Sequence, residues 1–156
     1  MNRVLYSKAK EMLEHRSGTL FEDMYWIDGE TGKIVAKALD ERTERKITYT
    51  EEILKAIAHR DNLITLHTHP SSMPPSTADF NSAFEHGYSI GLVICHDGTV
   101  YAYSSKQIIP SKLHEIYMKR FVRTGYTEKE AQLMALDEIK RNHDIDYWEV
   151  QPNENR

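Results

Sequence analysis

Residues 62–79 read NLITLHTHPSSMPPSTAD, and the change of pattern within this stretch decides the fold. Asn62 to Thr68 is a short apolar run of β-favouring types and predicts a buried strand. Pro70, Pro74 and Pro75 interrupt any regular element and hold the next segment open as a loop. Ser76 fits the N-cap of a helix over about residues 77–86, with Gly87 as its C-terminal stop. A strand follows at 88–95, then a turn at His96-Asp97-Gly98-Thr99 and a returning strand at 100–103. Strand, helix and strand in this order belong to a mixed sheet with helical cover.

The flanking sequence extends the same pattern. Residues 19–27, TLFEDMYWI, predict a strand with Leu20, Glu22, Met24 and Trp26 on one face and Phe21, Asp23, Tyr25 and Ile27 on the other. The turn Asp28-Gly29-Glu30-Thr31-Gly32 joins it to a partner strand from Lys33 to Leu39. Thr50 caps a helix through about His59, with Glu51 and Glu52 in its first turn. Leu5, Ala9 and Met12 make an apolar stripe on a helix over 3–16. Two more helices are expected at about 111–123 and 128–142, broken by Gly125, with Thr127 and Glu130 forming a capping box. The last twelve residues, IDYWEVQPNENR, are expected to add a short packed segment. The sum is an α/β domain of the α+β type, a mixed central sheet of about five or six strands flanked by helices. Its core spans about 19–104, with the 3–16 helix and the 111–142 helices as additions to a single domain over 1–156.

Composition narrows the function. A chain of 156 residues is about one domain and is too short for a TIM barrel. Lys and Arg total 20 against 24 Asp and Glu, which argues against a polyanion such as nucleic acid as partner. No apolar run approaches a membrane span. The N-terminal sequence MNRVLYSKAKEMLEHR lacks the apolar core of a secretory signal. Cys95 is the single cysteine, so a reducing, cytoplasmic setting is expected.

The chemistry lies in His67, His69, Ser76 and Asp79. A His-x-His pair alone is weak, since about 0.4 are expected by chance in a chain with eight histidines. With Pro next and Ser-x-x-Asp close behind, chance falls to roughly one in ten thousand. Residues i and i+2 of a strand point to one side, so His67 and His69 can present two imidazoles to one point at the strand's end. Asp79, near the first turn of the next helix, can bring a carboxylate there. Two nitrogens and one carboxylate oxygen suit a single Zn²⁺, with the fourth position left to a water, as in catalytic sites. A hydrolase also needs a proton shuttle. Glu22 is the candidate, a carboxylate placed among apolar strand residues. Asp23 competes from the opposite face, and Glu30 less well from a turn. Ser76 can cap its helix and also offer its hydroxyl to an oxyanion. Cys95 beside His96 is a poor nucleophile–base pair, because adjacent strand residues face opposite ways. The other histidines, at 15, 59, 86, 96, 114 and 143, have no ligand spacing. Lys112, Lys119, Arg120 and Arg123 make a locally basic helix face, most simply solvated.

Taken together, Glu22, His67-x-His69-Pro70 and Ser76-x-x-Asp79 resemble the signature of the JAB/JAMM (MPN-type) zinc metalloproteases. The resemblance covers roughly residues 19–104. The stretch from His69 to Ser76 is one residue shorter than is usual in that family. It implies a cytidine-deaminase-like architecture, with His67, His69 and Asp79 as zinc ligands, Glu22 as general acid/base and Ser76 as oxyanion stabiliser. It further implies hydrolysis of an amide bond in a protein or peptide, with ubiquitin-like and carrier proteins as the substrate class. The short chain is most similar to prokaryotic or phage forms. Two alternatives stay open: a non-catalytic scaffold on the same fold, and a metal-dependent hydrolase acting on a non-peptide substrate.

Overall fold

The computed structural model describes residues 3–15 and 19–151. The elements in chain order are α1 (Arg3–Glu14), β1 (Met24–Asp28), β2 (Ile34–Ala38), α2 (Glu51–Ile57), β3 (Leu63–His69), α3 (Thr77–Glu85), β4 (Tyr88–Cys95), β5 (Val100–Ser105), α4 (Ser111–Arg123), α5 (Glu128–Asn142) and β6 (Ile145–Glu149). The fold is α+β: one six-stranded mixed sheet, in the order β2-β1-β3-β4-β5-β6, flanked by helices.

β3 is the pivot. It pairs antiparallel with β1, placing Met24 opposite His67, and parallel with β4, placing His69 opposite Cys95. A parallel neighbour needs a crossover, and α3 supplies it. Alternation along the strands sorts the apolar residues into two cores, one on each face. Met24 and Trp26 join Leu63, Phe80, Val93, Tyr103, Leu136 and Ile139 on the face covered by α2, α3 and α5. Tyr25 and Ile27 join Leu66, Leu92, Ile94 and Ala102 beneath Ala9 and Met12 of α1. The two faces expected of β1 are thus the two cores, and Trp26 is fully buried.

The local signals explain most boundaries. Thr50 caps α2 by accepting from the Ile53 amide at 3.2 Å. The helix ends at Ile57 rather than near His59 because Ala58 turns to an extended ψ of 139° and His59 follows in a left-handed φ of 60°, neither of which an α-helix continues. Gly87, at φ 67°, ends α3 as expected. Three further elements differ from the expectation. β1 begins at Met24, not residue 19, though the Asp23 and Thr68 bonds described below prolong its pairing with β3. β5 runs on to Ser105. Residues 145–149 form a sixth strand on the outer edge of β5, pairing Ser105 with Ile145 and Tyr101 with Glu149. Arg16 of the expected first helix, and residues 152–156, lie outside the described residues. Among the described residues no helix is long and apolar enough to cross a membrane.

Candidate metal centre

His67 and His69 sit at the carboxyl end of β3, both buried, on the face shared with Met24 and Trp26. Their Nε2 atoms are 3.1 Å apart. Asp79 enters from the first turn of α3. Its Oδ1 is 3.2 Å from His67 Nε2 and its Oδ2 is 3.2 Å from His69 Nε2. The strand period and the capping turn therefore bring together the three side chains that the sequence singled out, and they are the His/Cys/Asp/Glu group that could hold a metal ion among the described residues.

Each donor is oriented by its own local structure. Ser76 and Asp79 form a reciprocal capping box: the Ser76 amide donates to Asp79 Oδ2 at 2.7 Å, and the Asp79 amide donates to Ser76 Oγ at 3.2 Å. The carboxylate is fixed by the same turn that starts the helix. His69 Nδ1 lies 2.9 Å from the Met73 carbonyl, so Nδ1 carries the proton and Nε2 presents a lone pair or a second proton to the common point. His67 Nδ1 is buried and has no hydrogen-bond partner among the described residues. The His67 ring is held instead edge-on to Tyr103, at 6.1 Å between centroids.

Two imidazole lone pairs and a carboxylate crowded together need a positive charge between them. Without a metal the proton on His69 supplies it. Burial opposes charge on His69, but the hydrogen bond and ion pair with Asp79 outweigh burial and lift its pKa to about 9. Burial alone would raise the Asp79 pKa, yet the two histidines hold it well below the usual carboxylate range. A divalent cation answers the same demand. Tetrahedral zinc with bonds of about 2.0–2.1 Å sets its ligand atoms about 3.3 Å apart, close to the 3.1–3.2 Å found here. Donor types, spacing and burial all fit one small cation.

The centre lies in a cavity of about 530 Å³, within the usual size range of ligand pockets. Glu22 lines it. Continuing the β1–β3 register two residues beyond Met24 sets Glu22 opposite His69, on the same face. Burial raises the Glu22 pKa, and the neighbouring histidines offset this only in part. Asp23 takes the other face. It is buried, its Oδ2 is 2.6 Å from His15 Nδ1, its amide donates to Thr68 Oγ1 at 3.0 Å, and its carbonyl accepts from the Thr68 amide at 3.0 Å. Glu30 is exposed in the β1–β2 turn and does not line the cavity. Ser76 lines the cavity too. Its oxygen accepts the helix amide, which leaves the hydroxyl proton to donate.

Two features of the centre, a tyrosine wall and a tie from α5, were not legible in the chain, whereas the sequence had already set Cys95 aside as a nucleophile. Tyr49 and Tyr88 form a wall, their hydroxyls 2.6 Å apart, with Trp26 Nε1 donating to Tyr88 at 2.9 Å. Burial raises both phenols above their usual range, so they stay neutral. Gln132 of α5 donates from Nε2 to the carbonyls of Pro74 and Pro75, each at 3.3 Å, tying the proline loop down from the far end of the sequence. Cys95 Sγ lies 3.4 Å from the Met73 carbonyl. Burial pushes its thiol up to about 12, which agrees with a structural rather than nucleophilic cysteine. No protein-family model, curated protein or solved structure matches the chain.

Proposed function

We propose that this protein is a zinc-dependent hydrolase of amide bonds, a peptidase or isopeptidase of the JAB/JAMM type whose substrate is a protein or peptide such as a ubiquitin-like or carrier protein. The observation that carries the reading is the meeting of His67 Nε2, His69 Nε2 and Asp79 within 3.1–3.2 Å of one another in a cavity that Glu22 also lines. The succession of hairpin, helix, histidine-bearing strand, helix and hairpin agrees with the architecture of that family.

His67, His69 and Asp79 would hold the ion. When bound, zinc would polarise a carbonyl and make a water more acidic. Glu22 accepts a proton from the attacking water, for which burial has already raised its proton affinity. It then returns that proton to the departing amine, so that one carboxylate serves as base and acid in turn. The Ser76 hydroxyl donates to the carbonyl oxygen as negative charge develops there. Tyr49, Tyr88 and Tyr103 line the cavity and displace bulk water, strengthening each of these interactions.

The test is a cleavage assay on ubiquitin-like conjugates and carrier-protein tails, with zinc and with chelator, alongside elemental analysis. Chelator-sensitive cleavage is expected. Glu22→Gln should retain its zinc while turnover falls by about 10²–10⁴-fold. Cleavage by Glu22→Gln at the wild-type rate would remove Glu22 from the mechanism. Zinc binding without cleavage of any member of the panel would favour the scaffold.

A further inference from the structure

The segment from residue 39 to 50 connects β2 to α2 and passes beside the metal centre, and neither the ligands nor the proton shuttle account for its construction. Glu41 is buried and closes the loop on itself. Its Oε1 accepts the Thr48 amide at 2.7 Å and its Oε2 accepts the Thr48 hydroxyl at 2.9 Å. Within that closure Arg45 takes a left-handed φ of 55°. Its amide is fastened to the Leu20 carbonyl at 2.8 Å, two residues before Glu22. Ile47 and Tyr49 anchor the far side in the core. A non-glycine residue held in this backbone region is strained, and such strain persists where the surrounding structure enforces it for a purpose.

What the loop presents is charge. Arg45 and Lys46 both line the cavity of the His67–His69–Asp79 centre. Both are exposed, and neither side chain has an ion-pair or hydrogen-bond partner among the described residues. Other exposed cations, such as Lys37, Lys112 and Lys119, also lack an acid partner among the described residues; what sets Arg45 and Lys46 apart is their place on the wall of this cavity. Glu128, on α5, also lines the cavity and repels an anion from its own side, which directs it to the loop.

The geometry points to a substrate that carries a carboxylate near the bond to be cut, received by Arg45 and Lys46. The guanidinium pairs with a carboxylate through two parallel N–H···O bonds, and the ammonium adds a point charge. The carboxylate is either a free C-terminus or an acidic side chain. The role in cleavage rests on the hydrolase reading above; the recognition itself does not.

The test measures binding. Fluorescein-labelled pentapeptides of alanine and glycine are made as matched pairs: free C-terminus against C-terminal amide, and central Glu against central Gln with both ends blocked. Anisotropy is read with Glu22→Gln protein, with and without zinc, so that nothing is consumed. At least one carboxylate peptide should bind about tenfold tighter than its neutral twin, and the pair showing the preference identifies the source of the carboxylate. Adding Arg45→Asn and Lys46→Gln should shrink that preference to within about twofold; asparagine tolerates the left-handed backbone at position 45. Lys46→Gln alone, which involves no left-handed residue, should cost about threefold and serves if the double variant does not fold. Equal binding of both twins in every pair, no binding of any peptide, or a preference that survives loss of both cations would overturn the proposal. Failure of the hydrolase reading looks different: the wild-type protein leaves the bound peptide intact while the carboxylate preference persists.

Discussion

Loading zinc at neutral pH should expel about one proton from His69. With the Asp79 carboxylate against it, buried His69 has a pKa of about 9 in the metal-free protein. At pH 7 that is two units below the pKa, so about one molecule in a hundred carries the neutral ring that a metal requires. Apparent affinity at pH 7 should therefore lie about a hundredfold below its value on the alkaline side, equivalent to about 3 kcal/mol. It should climb about tenfold per pH unit and level off above about pH 9. The sign for the empty protein is the reverse. A histidine whose folded pKa is raised contributes its full stabilisation below the unfolded value of 6.5, and loses it as pH rises through about 9. The metal-free protein should therefore melt at progressively lower temperature over that window, and zinc should abolish the decline. Calorimetric titration of zinc in two buffers of different ionisation heat counts the protons, and chelator competition across the window gives the affinity. An affinity independent of pH, or heats that do not depend on the buffer, would refute the assignment of the cationic charge to His69.

Three substitutions probe the supports of the centre. Asp79→Asn keeps an oxygen to accept the Ser76 amide, so α3 should still start, while zinc retention after dialysis should fall at least about a hundredfold; undiminished zinc by elemental analysis would remove Asp79 from the ligand set. Gly91 lies opposite Tyr103, and a Cβ there would overlap the tyrosine ring. Gly91→Ala should cost about 1–3 kcal/mol of stability, a fall of roughly 2–4 °C per kcal/mol in melting temperature, and should weaken zinc binding because Tyr103 packs on His67; an unchanged melting curve would show that the ring moves freely. Gln132→Ala strips the donor shared by the Pro74 and Pro75 carbonyls and should cost about 1–3 kcal/mol together with some metal affinity, and zinc titration of this variant separates a loosened loop from a merely destabilised fold.

The parts of this molecule that local rules govern were readable in the chain. Alternation placed His67 and His69 on one side of a strand, and Ser-x-x-Asp placed Asp79 at a helix start; neither inference needed distant contacts. The same alternation separated Glu22 from Asp23, whose partner turned out to be His15, in the turn just after α1. What stayed hidden depends on residues far apart in sequence. Gln132 is 58 residues from Pro74, and no pattern marks a helix glutamine as the fastening of a proline loop. The strand at 145–149 is short, with Trp148 exposed on the sheet's outer edge, so its only strong signal is the free edge of β5 that it covers. Arg45 carries no sequence cue for a left-handed backbone, since glycine and asparagine are the usual markers.

Gln132 also changes what counts as the working unit. Every residue of the motif lies before position 80, yet the loop between its histidines and its aspartate is latched by a helix that begins at Glu128. A version trimmed to the stretch carrying the signature would keep all three candidate donors and lose the bonds that tie down the loop between them. Transplanting this centre onto another scaffold would therefore mean moving Gln132 and its helix along with the loop.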